Sequence, residues 1–596
     1  MAIRGRKTTG RNKLFTLVLI FIPIVFFFVL ELGLRLADYG EPYPLFTQAR
    51  ENPDYLMSNH TSLMQRFLGR YDSYLPLTES NTSYFLKNKP DHAFRIFVHG
   101  GSTAVGFPYG AGASIGLVLG QRLRQTFPDR LIEIVDTSMH GIGSYAIRDM
   151  VDEVIEQQPD AVLIYAGHNE YLGAMGVGST LALGTAIPYP LLHALKLAYL
   201  ALKKIRTFQL LEGFLLPVPS EQPAASVAAT DQGRLSGVDE LSKAQSIAFG
   251  SDAYRQGLRQ FESNLSFILD RYSNAGIPVF IGTLVSNIRD QEPLLSNIAR
   301  HVDVAQWSGL YQLAMESYQA QRYNEALSGV EHLIALDAQN ADAHFLQAHV
   351  LDALGQYPKA YASYSMARDL DQMRFRAPDA FNGIIKRAAA QHGATIIDFE
   401  KIFRSYSPHF LVGYNLMLEY LHPTDQGYFL LSDGFHDGLQ DAGMIGDWLH
   451  AVPDEEALRA MPLTEAERWK GKYIVAEVTS SLPLLTPRPM PKQESYDFEE
   501  RLGFQLSRKG SENRKNDLAL LMTHYREQHD DDNVLKISLT LADSFPFDAQ
   551  AQYEASLALT KAGRLQQAIQ YLERAVRYGS RQEYATALDQ AKKRLM

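Results

Sequence analysis

The 596-residue chain contains no cysteine. Disulfides, thiolate nucleophiles and cysteine-ligated zinc are therefore excluded. The compartment stays open, because a secreted domain with a large core needs no covalent staples. A basic excess is missing too: 57 Lys and Arg against 67 Asp and Glu leave a net charge of −10. Nucleic-acid binding needs a concentrated basic face, and the sequence carries neither that nor a DNA- or RNA-reading motif. Long apolar runs are absent beyond the first thirty-odd residues, which excludes a polytopic membrane protein. With 46% hydrophobic and 21% charged residues the rest reads as a soluble, well-packed chain. At ~150 residues per domain it should hold three to four structural units.

The first residues break this pattern. Arg4, Arg6, Lys7, Arg11 and Lys13 precede an uncharged apolar run, Leu14 to Leu30, which Leu32 to Leu36 extend. Such a run is long enough to cross ~30 Å of hydrocarbon as a helix. The cations in front should stay cytoplasmic and place everything after Leu36 on the far side. A cleaved signal peptide is the alternative, but no small-x-small cleavage site follows the run. The expectation is a single-pass anchor in the inner (cytoplasmic) membrane.

Five dense apolar segments read as strands buried on both faces of a parallel sheet: Phe94–Val98, Ile132–Thr137, Ala161–Gly167, Pro278–Leu284 and Thr395–Phe399. Helical patterns such as Tyr145–Gln157 and Tyr254–Asn274 lie between them. Alternation of this kind predicts an α/β domain with its ligand site at the carboxyl ends of the strands.

Two stretches interrupt it. Leu183 to Val218 mixes leucines with Lys196, Lys203, Lys204 and Arg206, and a Pro/Ala/Ser/Gln-rich passage follows to about Ala248. The mixture fits an interfacial helix on a membrane or a helix packed on the core. Further on, Ala314 and Ala348, Tyr323 and Tyr357, Ala326 and Ala360, and Asp337 and Asp371 are each 34 residues apart. That period resembles tetratricopeptide repeats. Another copy, with Gly563, Leu565, Ala568, Leu572 and Ala575, lies near the end, after a weaker unit closing at Pro546.

The chemistry gathers after the strands. The first runs into His99-Gly100-Gly101-Ser102, the second into Ser138-Met139-His140-Gly141, and the third into His168-Asn169-Glu170; Glu419-Tyr420-Leu421-His422 comes late. A serine on a glycine-bearing turn, alone, is a weak signal. In this order the four blocks resemble the SGNH/GDSL hydrolase family over roughly residues 90–300 and 375–450.

That resemblance implies Ser102 as nucleophile, His422 as its base and Glu419 as the supporting acid. The backbone N–H groups of Ser102 and Gly141, with the Asn169 amide, would form the oxyanion hole. This sequence departs from the family in reading Gly-Gly-Ser at the first block and Glu in place of Asp before the histidine. Asp433-Gly434-Phe435-His436 also satisfies Asp-x-x-His, but follows an apolar run and is expected at a solvated helix end outside the site. His99, His140 and His168 sit on separate strand-end turns without metal-ligand spacing, so neither metal nor cofactor is expected. Arg289 and Asn287, after the fourth strand, are candidates to orient an anionic substrate group; an Arg289–Asp290 loop pair is the alternative.

The expected organisation is a basic tip and anchor over 1–36 and a hydrolase domain over 37–304, with 183–248 inserted. Tetratricopeptide-like repeats over 305–373, the rest of the hydrolase domain over 374–452 and a helical repeat region over 453–596 complete it. The fold class is α/β, a flavodoxin-like parallel sheet flanked by helices, joined to all-α repeats and a transmembrane helix. The expected activity is hydrolysis of acyl esters outside the membrane. The alternatives are an O-acyltransferase or deacetylase acting on a cell-surface glycan, and an inactive repeat-bearing scaffold. The expected contacts are an acyl-ester or acylated-glycan substrate, the membrane, and a protein partner or second copy held by the repeats.

Overall fold

The computed structural model describes residues 10–67, 82–178, 187–215, 246–480, 489, 497–509 and 513–595. Its strands are β1 (Phe46–Gln48), β2 (Tyr55–Ser58), β3 (Tyr84–Leu86), β4 (Ala93–Gly100), β5 (Leu131–Asp136), β6 (Ala161–Tyr165), β7 (Val279–Gly282) and β8 (Thr395–Ile397). The last five form one sheet in the order β5-β4-β6-β7-β8, every neighbouring pair parallel. The order places the first strand of the set in second position, as in doubly wound flavodoxin-like sheets. Ile96, Phe97, Val98, Val162 and Leu163 are sealed from solvent, as expected for strands covered by helices on both faces. Helices Ser144–Ile155 and Asp252–Asn274 stand among those coverings.

A second sheet was not expected. β1, β2 and β3 pair antiparallel beside the main core. Each is three or four residues long, too short to show an alternation of its own.

Four helices, Val304–Gln319, Tyr323–Leu336, Ala341–Ala353 and Tyr357–Leu370, occupy the interruption between β7 and β8. Ala314, Ala326, Ala348 and Ala360 are all buried, so small side chains stand where these helices meet. Ala348, Leu351, Ala360 and Tyr364 share one apolar cluster with Ile288 and Leu411. The insertion thus rests on the loops that leave the sheet. Among the described residues eight helices follow residue 453, the last five being Arg514–Glu527, Asp531–Ser544, Ala549–Lys561, Leu565–Tyr578 and Gln582–Leu595. They meet the first half of the chain again where Tyr55 and Tyr578 share a hydroxyl bond of 2.8 Å and Arg124 pairs with Asp543 at 3.3 Å.

The opening helix runs Gly10–Leu36. Among the described residues no helix is both long and apolar enough to cross a membrane. The cations at positions 4, 6 and 7 lie outside those residues, as do the side chains of positions 10–18 and 20 and most of the Pro/Ala/Ser/Gln-rich passage. The described part of the Leu183–Val218 stretch, 187–215, contains two helices, Tyr189–Lys203 and Arg206–Leu215.

Candidate active site

β4 delivers the chain to Gly101 and a single helical turn, Ser102–Val105. A Cβ on Gly101 would lie 2.6 Å from the Asn169 amide nitrogen, so only glycine lets these two strand ends close on each other. Ser102 Oγ stands 2.7 Å from His422 Nε2. The other ring nitrogen, Nδ1, bonds to Glu419 Oε1. Donation from Nδ1–H to the carboxylate leaves Nε2 free to accept the serine proton. Ser102, His422 and Glu419 therefore form one continuous hydrogen-bonded relay.

The relay is held by its own loop. Leu418 N–H donates to the His422 carbonyl and Thr424 N–H to that of Leu416, both at 2.8 Å. Inside this tight turn the Glu419 carboxylate also accepts the backbone N–H groups of His422 (3.0 Å) and Leu421 (3.2 Å). Thr424 then caps the helix Asp425–Asp441 through Gly427 N–H. From that helix, Tyr428 donates its hydroxyl to the Phe107 carbonyl. The Phe107 ring lies against the His422 imidazole, centroids 4.5 Å apart. Glu419 is 1% exposed and His422 7%, so these hydrogen bonds lie in a medium where electrostatics are poorly screened.

Gly141 adopts φ +72°, and its carbonyl accepts Ala174 N–H at 2.8 Å. The Asn169 amide donates to the Ile142 carbonyl at 3.1 Å. Sequence reasoning missed what stands behind these two turns. The buried Glu170 carboxylate accepts Ser144 N–H (3.0 Å), Ser144 Oγ–H (2.7 Å) and the Gln260 amide (2.6 Å). Asn264 donates to Ser144 Oγ at 2.9 Å, and Lys196 Nζ to Gln260 Oε1 at 2.8 Å. Burial raises the Glu170 carboxyl above its ordinary range and lowers Lys196 to about 8. This chain ties the turn after β5 to the turn after β6. Its one sequence signal was Glu170, standing next to Asn169.

The three strand-end histidines are separately occupied. His99 is fully buried, bonded to Thr137 Oγ1 and the Tyr272 hydroxyl, each at 2.7 Å. Thr137 donates onward to the Val98 carbonyl, which leaves His99 Nδ1 as donor and Nε2 as acceptor. His168 Nδ1 accepts Ala377 N–H at 3.2 Å, and the His140 ring stands edge-on to Phe107, centroids 5.8 Å apart. Burial drives all three down to about 3, so they are neutral near pH 7.

His436 differs from its expected setting. It lies inside the helix Asp425–Asp441 and is 1% exposed, its ring edge-on to Trp448. Asp433, His436 and Asp437 bring ligand atoms within 4.8 Å of one another, but Asp433 is already held by the Arg122 guanidinium. Arg289 pairs with Asp352 of the insertion at 2.8 Å rather than with Asp290. Asn287 Oδ1 accepts Asp290 N–H at 2.9 Å, and its carbonyl accepts Arg376 at 2.7 Å. Neither Arg289 nor Asn287 hydrogen-bonds to the relay.

No family model matches the chain, and no curated protein does. Several solved structures align with it. Axe2, an acetylxylan esterase from Geobacillus stearothermophilus, does so at 12% identity over 60% of this chain and 97% of its own, with a TM-score of 0.25. A GDSL-like lipase from Bacteroides thetaiotaomicron aligns at 11% identity over 58% and 88%, with a TM-score of 0.22. LAE5, an alpha/beta hydrolase enzyme from a lake metagenome, aligns at 12% identity over 59% and 97%, with a TM-score of 0.25. At such identity and overlap the chemistry has to be argued from the side chains themselves.

Proposed function

We propose that the chain is a serine esterase of the SGNH/GDSL type that cleaves acyl esters through a covalent acyl-serine. The observation that carries this reading is the buried relay from Ser102 Oγ through His422 to Glu419. A serine hydroxyl is a weak nucleophile until an adjacent base takes its proton. As Ser102 Oγ attacks the acyl carbonyl, its proton passes to His422 Nε2. The imidazolium formed is stabilised by the Glu419 carboxylate. Charge gathering on the carbonyl oxygen is met by the N–H groups of Ser102 and Gly141 and by the Asn169 amide, donors that are typically worth ~10²–10³ in rate each. Collapse of the intermediate expels the alcohol, which leaves with the proton from His422. Water, deprotonated by the same nitrogen, then releases the acid and restores Ser102. The chemistry calls for no metal or cofactor.

The basic tip and the apolar helix in front of the domain support an anchor in the inner membrane, with the hydrolase domain on the extracytoplasmic side. The 34-residue spacing and the buried alanines of the inserted helices support a tetratricopeptide-like insertion, with related units near the carboxyl end. Stacks of this kind present surfaces suited to a protein partner or a second copy. An ester panel on the purified protein, read beside Ser102→Ala, tests the assignment. Turnover that survives in the variant removes it, and transfer to an added sugar hydroxyl in place of water would make the enzyme an O-acyltransferase.

A further inference from the structure

The helix Tyr189–Lys203 buries two lysines and exposes leucines. Its inward face carries Leu192, Lys196, Leu200 and Lys203, each no more than 5% exposed. Both ammonium groups find acceptors there: Lys196 donates to the Met175 carbonyl (2.6 Å) and Gln260, and Lys203 to both oxygens of Glu212 (3.0 and 3.2 Å). The outward face is apolar as well. Leu191, Leu195 and Leu202, spaced to lie on one side of a helix, are exposed, as is Ile205 just beyond. The next helix, Arg206–Leu215, exposes Leu211 and also Phe214, which is 79% exposed. A surface helix in water shows the opposite arrangement, and a patch of this kind marks a contact with something apolar.

Its position identifies the occupant. Glu31 of the opening helix caps the second helix of the pair, accepting Thr207 N–H (2.8 Å), Thr207 Oγ–H (3.0 Å) and Arg206 N–H (3.2 Å). Gln209 clasps the backbone of Glu41 on both sides, at 2.9 and 2.8 Å. Glu31 directly follows the apolar run Leu14–Leu30, whose described members from Phe21 to Val29 are themselves mostly exposed. If that run crosses the hydrocarbon, Glu31 stands at its edge, and a helix fastened to Glu31 lies at the level of the headgroups.

We infer that the helical pair Tyr189–Leu215 docks on the lipid bilayer, its leucines and Phe214 in the interface, and holds the hydrolase domain against the membrane from which the anchor emerges. The inference rests on the anchor reading proposed above. Amphipathic helices bind in this way through buried apolar area.

The absence of cysteine makes the test direct, since each introduced thiol is unique. Full-length Val25→Cys, Leu195→Cys, Phe214→Cys and Lys593→Cys variants are labelled with a polarity-sensitive fluorophore. They are then reconstituted in phosphatidylcholine–phosphatidylglycerol vesicles. Labels at 195 and 214 should lose most of their emission to nitroxide lipids and resist aqueous iodide, like the label at 25, while the label at 593 does the reverse. Iodide quenching at 195 and 214 with lipid quenching at 25 would overturn the docking and leave the anchor standing. Iodide quenching at 25 as well would remove the anchor, and the docking with it. Labels at 195 and 214 shielded from both quenchers would mean that protein covers the patch, which also overturns the proposal.

Discussion

Replacing Glu419 by glutamine tests the relay at its least accessible point. The carboxylate accepts three hydrogen bonds, from His422 Nδ1–H and from the backbone N–H groups of His422 and Leu421. Glutamine keeps one acceptor oxygen for these donors but loses the charge, and its amide can turn an N–H toward the imidazole. Hydrogen bonds to charged groups contribute about 1.5–3 kcal/mol, which at about 1.4 kcal/mol per decade is 10- to 150-fold in rate. Reversal of the histidine tautomer adds to this, as amide replacement of a triad acid costs about 10⁴ in kcat. The expected loss in kcat for Glu419→Gln is therefore ~10²–10⁴, with KM nearly unchanged, since no substrate contact is removed. Glu419→Asp keeps the charge but falls a methylene short, so it should lose less. Both variants are assayed on one ester, with thermal unfolding to show that the Leu416–Thr424 loop has held. A folded glutamine variant within threefold of wild type, or one no worse than the aspartate variant, would refute the reasoning.

Other consequences follow from the same contacts. Fully buried His99 has its pKa lowered to about 3, against an ordinary 6.5 for the unfolded chain. Its contribution to stability is thus complete above pH 6.5 and is lost as pH falls toward 3, amounting to about 2 kcal/mol by pH 5; denaturant midpoints at pH 7.5 and 5 should show this, with a smaller decline in His99→Gln. Asp433→Asn and His436→Ala should keep activity within about threefold, while Asp433→Asn, by removing one of the two carboxylates that pair with Arg122, should lower unfolding stability by about 1–3 kcal/mol. If His436→Ala is inactive and His422→Ala active, the base has been assigned to the wrong histidine. Arg289→Ala should loosen the insertion, seen as faster limited proteolysis within residues 304–370, without raising KM; a tenfold rise in KM would return Arg289 to substrate binding.

The sequence readings that the structure reproduces share a physical cause. Strands of a covered sheet leave short, mostly apolar runs, so all five strands of the parallel sheet were visible even though β4 and β5 carry Arg95 and Glu133. The residues on the turns after them, ordinary turn residues one by one, stood out because four such blocks follow in one order. The Glu170–Ser144–Gln260–Asn264–Lys196 chain was not legible, because its members lie up to 120 residues apart and nothing local marks a buried lysine. The setting of His436 was misread because Gly434 and Gly438 look like a helix end. In the fold they let the helix approach Phe399 and Ile397, where a Cβ would come within 2.5 and 2.4 Å. The mixture of leucines and cations over Leu183–Val218 was legible, but which face of Tyr189–Lys203 turned inward depended on the partners of Lys196 and Lys203.

The most direct measurement is the site of covalent modification by a fluorophosphonate. The reagent phosphonylates a serine only where a base removes its proton and donors stabilise the oxyanion, so it reports the relay and the oxyanion hole together. The purified full-length protein should be labelled at one residue, Ser102, identified by peptide mass, with labelling lost in Ser102→Ala and strongly slowed in His422→Ala. Labelling at another serine, or none in a folded protein, would contradict the assignment.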